Sequence, residues 1–408
     1  MNSWPTKKMF QVTRLITDGK HGDCEDDANS GYFFLSSKDL RDGKLYYDDS
    51  RQITHTDFLE THRRTDLEPG DILLTNCGAS IGRVGIAQDD PRIYRTTFQK
   101  SISVIKPDKA LVEGRYLYYF LLANSALLIH LGDGTAQPNL LIGDLKRIDV
   151  SMPPRPVQQR MVTILSAYDE LVENCKRRIR LLEAVASALY REWFVELRFP
   201  GKQRSNFTAS PLGPIPEGWE VRKVAEFADF ERGFEPGSNA YCKQPAPNLI
   251  RFLRVGDLSK RDSEVYIPID LTEGRTLKPS DIAITLDGSV GLVRLGLAGA
   301  YSTGIRKIVV RDQSRLGWSF AYQLLSSDSI QATIQAHAKG TTIKHAGSAI
   351  AALEFVAPPP AVIEWFEHAT APMLKQVLTL RECIQNLSRT RDLMLPQLLS
   401  GDVETASE

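Results

Sequence analysis

The feature that most constrains the fold is a long heptad pattern from Pro156 to Arg198, with no glycine and no further proline. Its apolar side chains recur every seven residues, at Met161, Tyr168, Cys175, Leu182 and Leu189. We expect Ile164, Leu171 and Val185 to complete this seam, and a further row to widen it, namely Leu165, Val172, Ile179, Ala186 and Trp193. Such a helix would be about 60 Å long at about 1.5 Å per residue. The pattern therefore predicts a second helix of similar length packed along it.

A matching run lies near the other end of the chain. Its residues alternate in steps of four and three, which is again a 3.5-residue period: Met373, Val377, Leu380, Ile384, Leu387, Arg391, Met394 and Leu398. Pro372 begins or kinks the run, whereas Pro396 and Gly401 end it. Each run alone could be an amphipathic helix on a globular core. Two runs in matching places favour a coiled coil.

The two runs follow segments that resemble each other, so the chain contains an internal repeat. LEPGDILLTNCGASIGRVG at Leu67 matches LKPSDIAITLDGSVGLVRLG at Leu277, and FLSSKDL at Phe34 matches FLRVGDL at Phe252. ISVIKP at Ile102 is paired with IVVRDQ at Ile308. A period near half the chain indicates a tandem duplication with insertions and deletions in loops.

The repeat predicts six consecutive parts and an α+β fold. The parts are a globular domain (1–153), a long helix (154–198), a polar linker (199–212), a second globular domain (213–356), a second long helix (357–400) and a tail (401–408). Each globular domain mixes strand-like and helix-like runs. We expect two repeated mixed α/β domains separated by two antiparallel coiled-coil helices, with a pseudo-two-fold axis.

Composition and short motifs limit the possible functions. Fifty Lys and Arg residues balance fifty Asp and Glu residues, which argues weakly against a nucleic-acid binder, because such proteins are often basic. Five scattered cysteines form no C-x-x-C pair, so neither a disulfide framework nor a zinc ribbon is indicated. The amino-terminal residues lack an apolar signal core and no run reaches membrane-spanning length. The chain is therefore expected in the cytoplasm.

A search for catalytic motifs yields no strong candidate. No P-loop is present, and Met152-Pro153-Pro154-Arg155 lacks the flanking residues of an amino-methyltransferase motif, so it is interpreted as a helix entry. Asp-x-Lys occurs at Asp18, Asp42 and Asp144, a number that chance and surface turns explain. The seven histidines have no H-x-x-x-H or H-E-x-x-H spacing, so no metal site is predicted.

Five segments, in this order, give the chain a resemblance over nearly its whole length. They are LEPGDILLT (67–75), GTAQPNL (134–140), PPRPVQQRMVTILSAYDELV (153–172), PLGPIPEGWEV (211–221) and LPQLLSG (395–401). With the half-chain duplication, they make the chain resemble the specificity subunit of type I restriction-modification enzymes. One departure is that TIKHA (342–346) replaces AQPNL in the second copy.

The resemblance implies a subunit without catalytic activity of its own. Each globular domain would be a target recognition domain that reads one half of a split double-stranded DNA sequence. The long helices would set the spacing and bind two methyltransferase subunits, with motor-nuclease subunits joining the full complex. S-adenosylmethionine, ATP and Mg²⁺ would then be bound by partner subunits and no cofactor by this chain.

Polar and basic residues on glycine-containing loops are the candidates for DNA contact, since Arg, Lys, Asn and Gln read base edges and contact phosphates. In the first domain they are Lys20, His21, Asn76, Arg83, Arg95, Gln99, Lys100, Thr135, Gln137 and Asn139. In the second they are Arg232, Lys243, Arg294, Arg306, Lys307, Lys339, Thr341, Thr342 and Lys344. Any one of these cations is more simply explained as a solvated surface charge. The recurrence of such loops in both halves favours DNA contact for the set.

Two other functions compete with this interpretation. One is an enzyme, a methyltransferase or nuclease with degenerate motifs. The other is a coiled-coil scaffold whose repeated domains bind protein rather than DNA, which the absence of net charge and the long seams would suit.

Overall fold

The computed structural model describes residues 4–132, 139–201, 206–260, 263–341 and 343–400, with Ala79 and Lys260 described by their backbone only. The chain forms two compact units. Unit 1 consists of Met1–Leu171 and Asn386–Glu408, and unit 2 consists of Val172–Gln385. Each unit thus combines one globular domain with a part of each long helix.

Unit 1 contains a four-stranded antiparallel sheet in the order β2-β9-β6-β7. Three strand pairs accompany it, β1-β10, β4-β5 and the parallel pair β3-β8. The strands are β1 (Thr6–Lys8), β2 (Thr13–Asp18), β3 (Phe33–Leu35), β4 (Leu40–Arg41), β5 (Lys44–Leu45), β6 (Ile72–Thr75), β7 (Val84–Ile86), β8 (Thr96–Phe98), β9 (Ile102–Pro107) and β10 (Asp149–Ser151). The helices are α1 (His55–Thr65), α2 (Gly114–Ala123), α3 (Ser125–Gly132), α4 (Ile142–Arg147) and the first part of α5 (Arg155–Tyr190).

The central strand β6 explains how this unit is layered. Its four residues are all buried, and successive side chains of a strand point to opposite faces. Ile72 and Leu74 enter a hydrophobic cluster with Tyr116 of α2, whereas Leu73 enters a different cluster with Phe98 of β8. The sheet is therefore covered on both faces, which accounts for a continuous apolar run instead of an alternating one.

Unit 2 repeats this plan. Its sheet β14-β21-β18-β19 is antiparallel throughout and a second sheet has the order β16-β15-β20-β17. The strands are β11 (Phe207–Thr208), β12 (Ile215–Pro216), β13 (Glu220–Lys223), β14 (Ala228–Arg232), β15 (Leu249–Leu253), β16 (Tyr266–Pro268), β17 (Thr276–Leu277), β18 (Ile282–Thr285), β19 (Val293–Arg294), β20 (Gly299–Tyr301), β21 (Ile305–Val310) and β22 (Glu354–Ala357). The helices are the second part of α5, α6 (Asp257–Lys260), α7 (Trp318–Ser326), α8 (Asp328–Ala336) and part of α9 (Pro360–Ser400).

Equivalent backbone contacts show that the duplication extends to structural detail. Strand β3 pairs in parallel with β8 as β15 does with β20. One pairing inferred from the sequence was wrong by three residues. Thr75 pairs with Ile102 and Thr285 pairs with Ile305, so Ile102–Pro107 corresponds to Ile305–Val310 and not to the segment starting at Ile308. The polar residues that follow Ile305 concealed this register.

The two long helices pack on each other in antiparallel directions within each unit. In unit 1, Met161 shares a hydrophobic cluster with Leu398, and Asp169 Oδ1 lies 2.5 Å from Arg391 Nη1. In unit 2, Cys175 and Ile179 of α5 pack against Val377 and Leu380 of α9. Because α5 and α9 each contribute to the hydrophobic clusters of both units, the helices are part of each core.

The first helix inserts into this core along part of the expected seam and along the row that was expected to widen it. The most buried residues are Met161, Leu165, Val172, Cys175, Ile179, Ala186 and Tyr190, with Tyr168, Leu182 and Leu189 half-buried beside them. Ile164 is half-buried, whereas Leu171 and Val185 are 53% and 45% exposed. Ile164 packs against the hydrophobic cluster of unit 1 as expected, but the expectation that Leu171 and Val185 complete the seam was wrong. Both rows repeat every seven residues, so periodicity alone does not decide which one faces inward.

On the second helix, Val377 and Leu380 are buried and Ile384 and Leu387 are half-buried. Helix α9 passes through Pro372 and Pro396 without ending and is described to Ser400. Among the helices of the described residues, none is long and apolar enough to cross a membrane.

Candidate nucleic-acid interface

Four segments of unit 1 meet at one edge of its sheet and form what we call loop cluster 1: residues 19–21, 76–83, 99–101 and 139–140. Backbone hydrogen bonds join them in sequence. The Lys20 amide donates to the Phe98 carbonyl at 2.8 Å and the Asn76 amide to the Ser101 carbonyl at 3.1 Å. The Leu140 amide donates to the Asn76 carbonyl at 2.7 Å. The structure therefore brings together loops that are far apart in the sequence.

Close backbone packing explains why this cluster requires a glycine and a threonine. A Cβ atom on Gly19 would stand 2.0 Å from the Phe98 carbonyl oxygen, so a larger residue would push the two loops apart. The Thr75 hydroxyl donates to the Ser80 carbonyl and accepts from the Arg83 amide, which closes the turn between them. The close approach at Gly19 and the hydrogen bonds of Thr75 hold the turns at fixed positions.

The candidate side chains of cluster 1 differ in their exposure. His21, Arg83, Lys100 and Asn139 are exposed, and Gln99 is half-buried. The Arg83 guanidinium is partly occupied, because its Nη1 donates to the Leu40 carbonyl at 2.7 Å. Arg95 is exposed but precedes β8, at the opposite end of that strand from Gln99. The accessible polar groups of this cluster are thus the Lys100 ammonium, the Asn139 amide and the His21 imidazole, with the partly occupied Arg83 guanidinium beside them.

Lys20 is committed to an ion pair within unit 1. Its Nζ lies 2.7 Å from Asp57 and 3.1 Å from Glu60, both on α1. The hydrogen bond to Asp57 raises the pKa of the Lys20 amine and lowers the pKa of the Asp57 carboxyl. This arrangement anchors loop cluster 1 to α1 instead of presenting a free ammonium group.

Asn76 is buried rather than presented to solvent. Its side chain is 4% exposed, its Nδ2 donates to the Ser103 hydroxyl at 3.1 Å, and its Oδ1 has no hydrogen-bond partner among the described residues. The sequence-based assignment placed Asn76 among the contact residues, but its side chain faces the interior. Thr135 and Gln137, also among the candidates, lie outside the described residues.

Unit 2 has an equivalent loop cluster 2, formed by residues 232–233, 286–291, 302–306, 339–341 and 343–346. The Ala346 amide donates to the Leu286 carbonyl at 2.7 Å, as the Leu140 amide does to Asn76 in unit 1. A Cβ atom on Gly233 would stand 2.2 Å from the Tyr301 carbonyl oxygen, which repeats the close approach of Gly19. The AQPNL segment of unit 1 and the TIKHA segment of unit 2 therefore end at equivalent points of the fold.

Several of the candidate residues of unit 2 are exposed on this cluster: Arg232, Lys339, Thr341 and Lys344. Arg306 is 7% exposed, and burial lowers its pKa beside Asp287, whose Oδ2 lies 3.8 Å from Arg306 Nη2. Arg306 therefore supports the cluster from within. Thr342 lies outside the described residues.

Three further candidates of unit 2 lie away from cluster 2. Lys307 binds Asp281 at 3.1 Å and lines a cavity of about 510 Å³ on another side of the sheet. Arg294 is half-buried on β19 and its Nε donates to the Leu258 carbonyl at 3.2 Å. Lys243 is exposed and directly follows Cys242, which forms an isolated β-bridge with Tyr266.

The structure adds one residue that the sequence reasoning did not select, His345. Its backbone forms isolated β-bridges with Asp287 and with Lys339. Its ring Nδ1 lies 2.7 Å from Asp287 Oδ1. Equating AQPNL with TIKHA already aligns His345 with Asn139. That alignment was the available signal, but lysines and threonines were chosen for their charge and hydroxyl groups.

Several large apolar side chains of the long helices are exposed. On α5, Leu181 is 58% exposed, in addition to Leu171 and Val185. On α9, Trp365 and Leu393 are 45% and 62% exposed. Exposed apolar side chains that form a contiguous patch are typical of an interface with another protein, so the residues on α5 are the candidates for such a contact. In the described part of the chain, no group of His, Cys, Asp and Glu residues is arranged to hold a metal ion.

Comparison with known proteins gives a consistent result. Residues 9–184 match the family model described as the type I restriction modification DNA specificity domain. The specificity subunit of the type I restriction enzyme MjaIX from Methanocaldococcus jannaschii is 28% identical over 91% of this chain and 86% of its own length. That of the HindI enzyme from Haemophilus influenzae is 19% identical over 99% of this chain and 100% of its own.

A solved structure shares the fold. The S subunit of a type I restriction-modification system from M. genitalium superimposes with a TM-score of 0.56 at 14% identity, and the match covers 97% of this chain and 96% of that one. The similarity therefore includes both units and both long helices.

Proposed function

We propose, from the premise that this chain belongs to the family of type I restriction-modification specificity subunits, that it binds double-stranded DNA at a split target. Each loop cluster would read one half-site. The observation that carries the proposal is that the same sheet, turns and loop junctions recur in both units and present exposed polar and basic side chains. The two sets of side chains differ, as two different half-sites would require.

In this proposal the chain recognises DNA and performs no chemistry. Partner subunits would supply the methyltransferase and motor-nuclease activities and would bind S-adenosylmethionine, ATP and Mg²⁺. The exposed apolar residues on α5 and α9 would bind two methyltransferase subunits per chain. Burying such residues is favourable by about 25 cal/mol for each Å² of apolar surface removed from water.

DNA binding is tested by salt titration on duplex DNA. Each phosphate contact by a cation contributes to the slope of log affinity against log salt, with about one unit lost for each contact removed. We expect the double variant Lys339→Ala, Lys344→Ala to weaken binding and to lower the slope by one to two units, roughly.

Lys375→Ala is the matched control, because Lys375 is an exposed lysine of the same unit on α9, outside loop cluster 2. Its slope should equal that of the unsubstituted chain. A chain that shows no salt-dependent affinity for duplex DNA would support the protein-scaffold alternative instead.

Docking is tested by changing the apolar outer face of α5. Leu181→Glu would place a charge in the proposed interface, and we expect fewer than two methyltransferase subunits per chain in light scattering of the purified complex. Ser187 is exposed on the same helix, roughly 120° around its axis at 3.6 residues per turn. Ser187→Glu should leave two bound subunits. Equal stoichiometry for both variants would rule out this face as the docking site.

A further inference from the structure

The hydrogen bond between His345 and Asp287 determines what the exposed edge of the imidazole can do. A carboxylate accepts hydrogen bonds and does not donate them, so the Nδ1 atom that faces Asp287 at 2.7 Å must carry the proton. In the neutral ring, Nε2 is then a hydrogen-bond acceptor. The side chain of His345 is 65% exposed, whereas that of Asp287 is 17% exposed.

The surrounding loop holds this geometry firmly. The amides of Lys339 and His345 each donate to the other's carbonyl, at 3.0 and 2.7 Å, and the Gly288 amide donates to the Lys344 carbonyl at 2.8 Å. A Cβ on Gly340 would stand 2.1 Å from the Ile343 carbonyl oxygen, so this hairpin is tight. Asp287 is fixed in turn by the nearby buried guanidinium of Arg306.

The chemistry of DNA then narrows the possible contact. Phosphate oxygens only accept hydrogen bonds, so they offer nothing to an acceptor at Nε2. In the major groove, the donors are the exocyclic amino groups, N6 of adenine and N4 of cytosine. The exposed Lys339 and Lys344 flank His345 and carry charges suited to phosphates on either side of such a base.

We propose that His345 is a specificity-determining residue of unit 2 that accepts a hydrogen bond from the amino group of an adenine or a cytosine. Asp287 is its positioning residue. The inference rests on the proposed function and deepens it, because it names the residue that reads one base of that half-site and the amino group on the base that it contacts. Unit 1 presents Asn139 at the equivalent point, so the two half-sites are read there by different chemistry.

The test selects bound sequences from duplexes with both half-sites randomised, at pH 8, where an unperturbed imidazole is neutral. It uses the full chain with its methyltransferase subunits. We expect the unsubstituted chain to select one defined base pair at a position of the unit 2 half-site, with its adenine or cytosine on a fixed strand. His345→Ala should reduce that preference by roughly fivefold or more, as losing about 1 kcal/mol of discrimination implies. The rest of the motif should not change.

Asp287→Asn separates positioning from mere structural support. Its amide can donate to Nδ1, which would leave the proton on Nε2 and turn the exposed edge into a donor. Because the Asn oxygen can also accept from Nδ1–H, both tautomers become accessible, so we expect the preference for adenine or cytosine at the same position to weaken toward guanine or thymine, whose major-groove atoms accept hydrogen bonds. His345→Gln provides a second variant that retains a polar side chain of similar length. The unit 1 half-site reports in every case whether the chain is folded.

The outcomes distinguish the proposed function, DNA recognition at a split target, from the specific role assigned to His345. If the unsubstituted chain selects no motif, the proposed function fails. If it selects both half-sites, while His345→Ala and Asp287→Asn retain the original preference, the assignment of His345 is overturned. The same holds if His345→Ala weakens binding to all sequences equally. Asn139→Ala serves as the matched control and should change only the other half-site.

Discussion

At the scale of single residues, the ion pair between Lys20 and Asp57 shows how a loop that could face DNA is tied to the fold. The Asp57 pKa lies below its usual value because of the bond to Lys20. A carboxyl with a lowered folded-state pKa stabilises the fold above its unfolded-state pKa, about 3.9, and this stability is lost as the pH falls through the folded-state pKa.

The lowered pKa of Asp57 predicts how the contribution of the ion pair to stability changes with pH. Lys20→Met should lower the free energy of unfolding at pH 6, and the difference from the unsubstituted chain should shrink as the pH falls from 5 to below 3. Urea unfolding at several pH values measures it. Asp57→Asn is the matched control and should reduce the pH dependence of the Lys20 substitution to the part that Glu60 contributes. A Lys20→Met effect that stays constant from pH 6 to pH 3 would contradict the ion-pair assignment.

The residues of the candidate interface could be predicted only in part from the sequence. Several of the glycine-containing loops chosen from the sequence meet at one edge of each sheet, whereas Lys243, Arg294 and Lys307 lie away from it. The side chains of the loops that do meet can point either way. Asn76 and Arg306 are buried because the sheet register turns them inward, and that register depends on hydrogen bonds between distant strands. His345 gains its significance from Asp287, far away in the sequence, and no local pattern indicates that pairing.

At the scale of elements, the long helices were predictable because a heptad pattern is local and repeats many times. Which apolar row faces inward was not, since α5 carries two rows with the same period. The choice depends on the partner surface, namely Val377 and Leu380 in unit 2. The row left outside contains Leu171 and Val185. Because these two residues are exposed instead of buried in the seam, they support the proposed docking face.

The packing of the helices predicts unequal effects of similar substitutions on α9. Leu380 is 7% exposed within a cluster with Cys175 and Ile179, whereas Leu393 is 62% exposed. Leu380→Ala should lower the free energy of unfolding by about 2–4 kcal/mol through lost burial and a residual cavity. Leu393→Ala, the matched control, should change it by less than about 0.5 kcal/mol. Urea unfolding followed by circular dichroism compares them; equal losses would contradict the seam described for unit 2.

At the scale of the whole molecule, the compact units do not follow consecutive stretches of sequence. Leu165 and Leu398 belong to the core of unit 1, whereas Tyr190 and Phe366 belong to that of unit 2. Each globular domain therefore binds one part of α5 and one part of α9. Periodicity and repeats in the sequence reveal the order of the elements. The repeat predicts the antiparallel pairing of the two helices, but it does not reveal how each helix is divided between the two cores.

The proposed reading of two half-sites makes helix length a determinant of the gap between them. Seven residues inserted after both Cys175 and Ile384, which share one hydrophobic cluster, would keep the heptad phase and lengthen each helix by about 10 Å. DNA rises about 3.4 Å per base pair, so we expect the gap to grow by about three base pairs at most. The methylated motif in cells that carry the variant with its partner subunits measures the gap. Two-residue insertions at the same sites rotate the seam out of phase and should destabilise the complex without defining a new gap. If the seven-residue variant methylates the original motif with its original gap, the helices do not set the spacing, and partner subunits must position the two recognition domains on DNA.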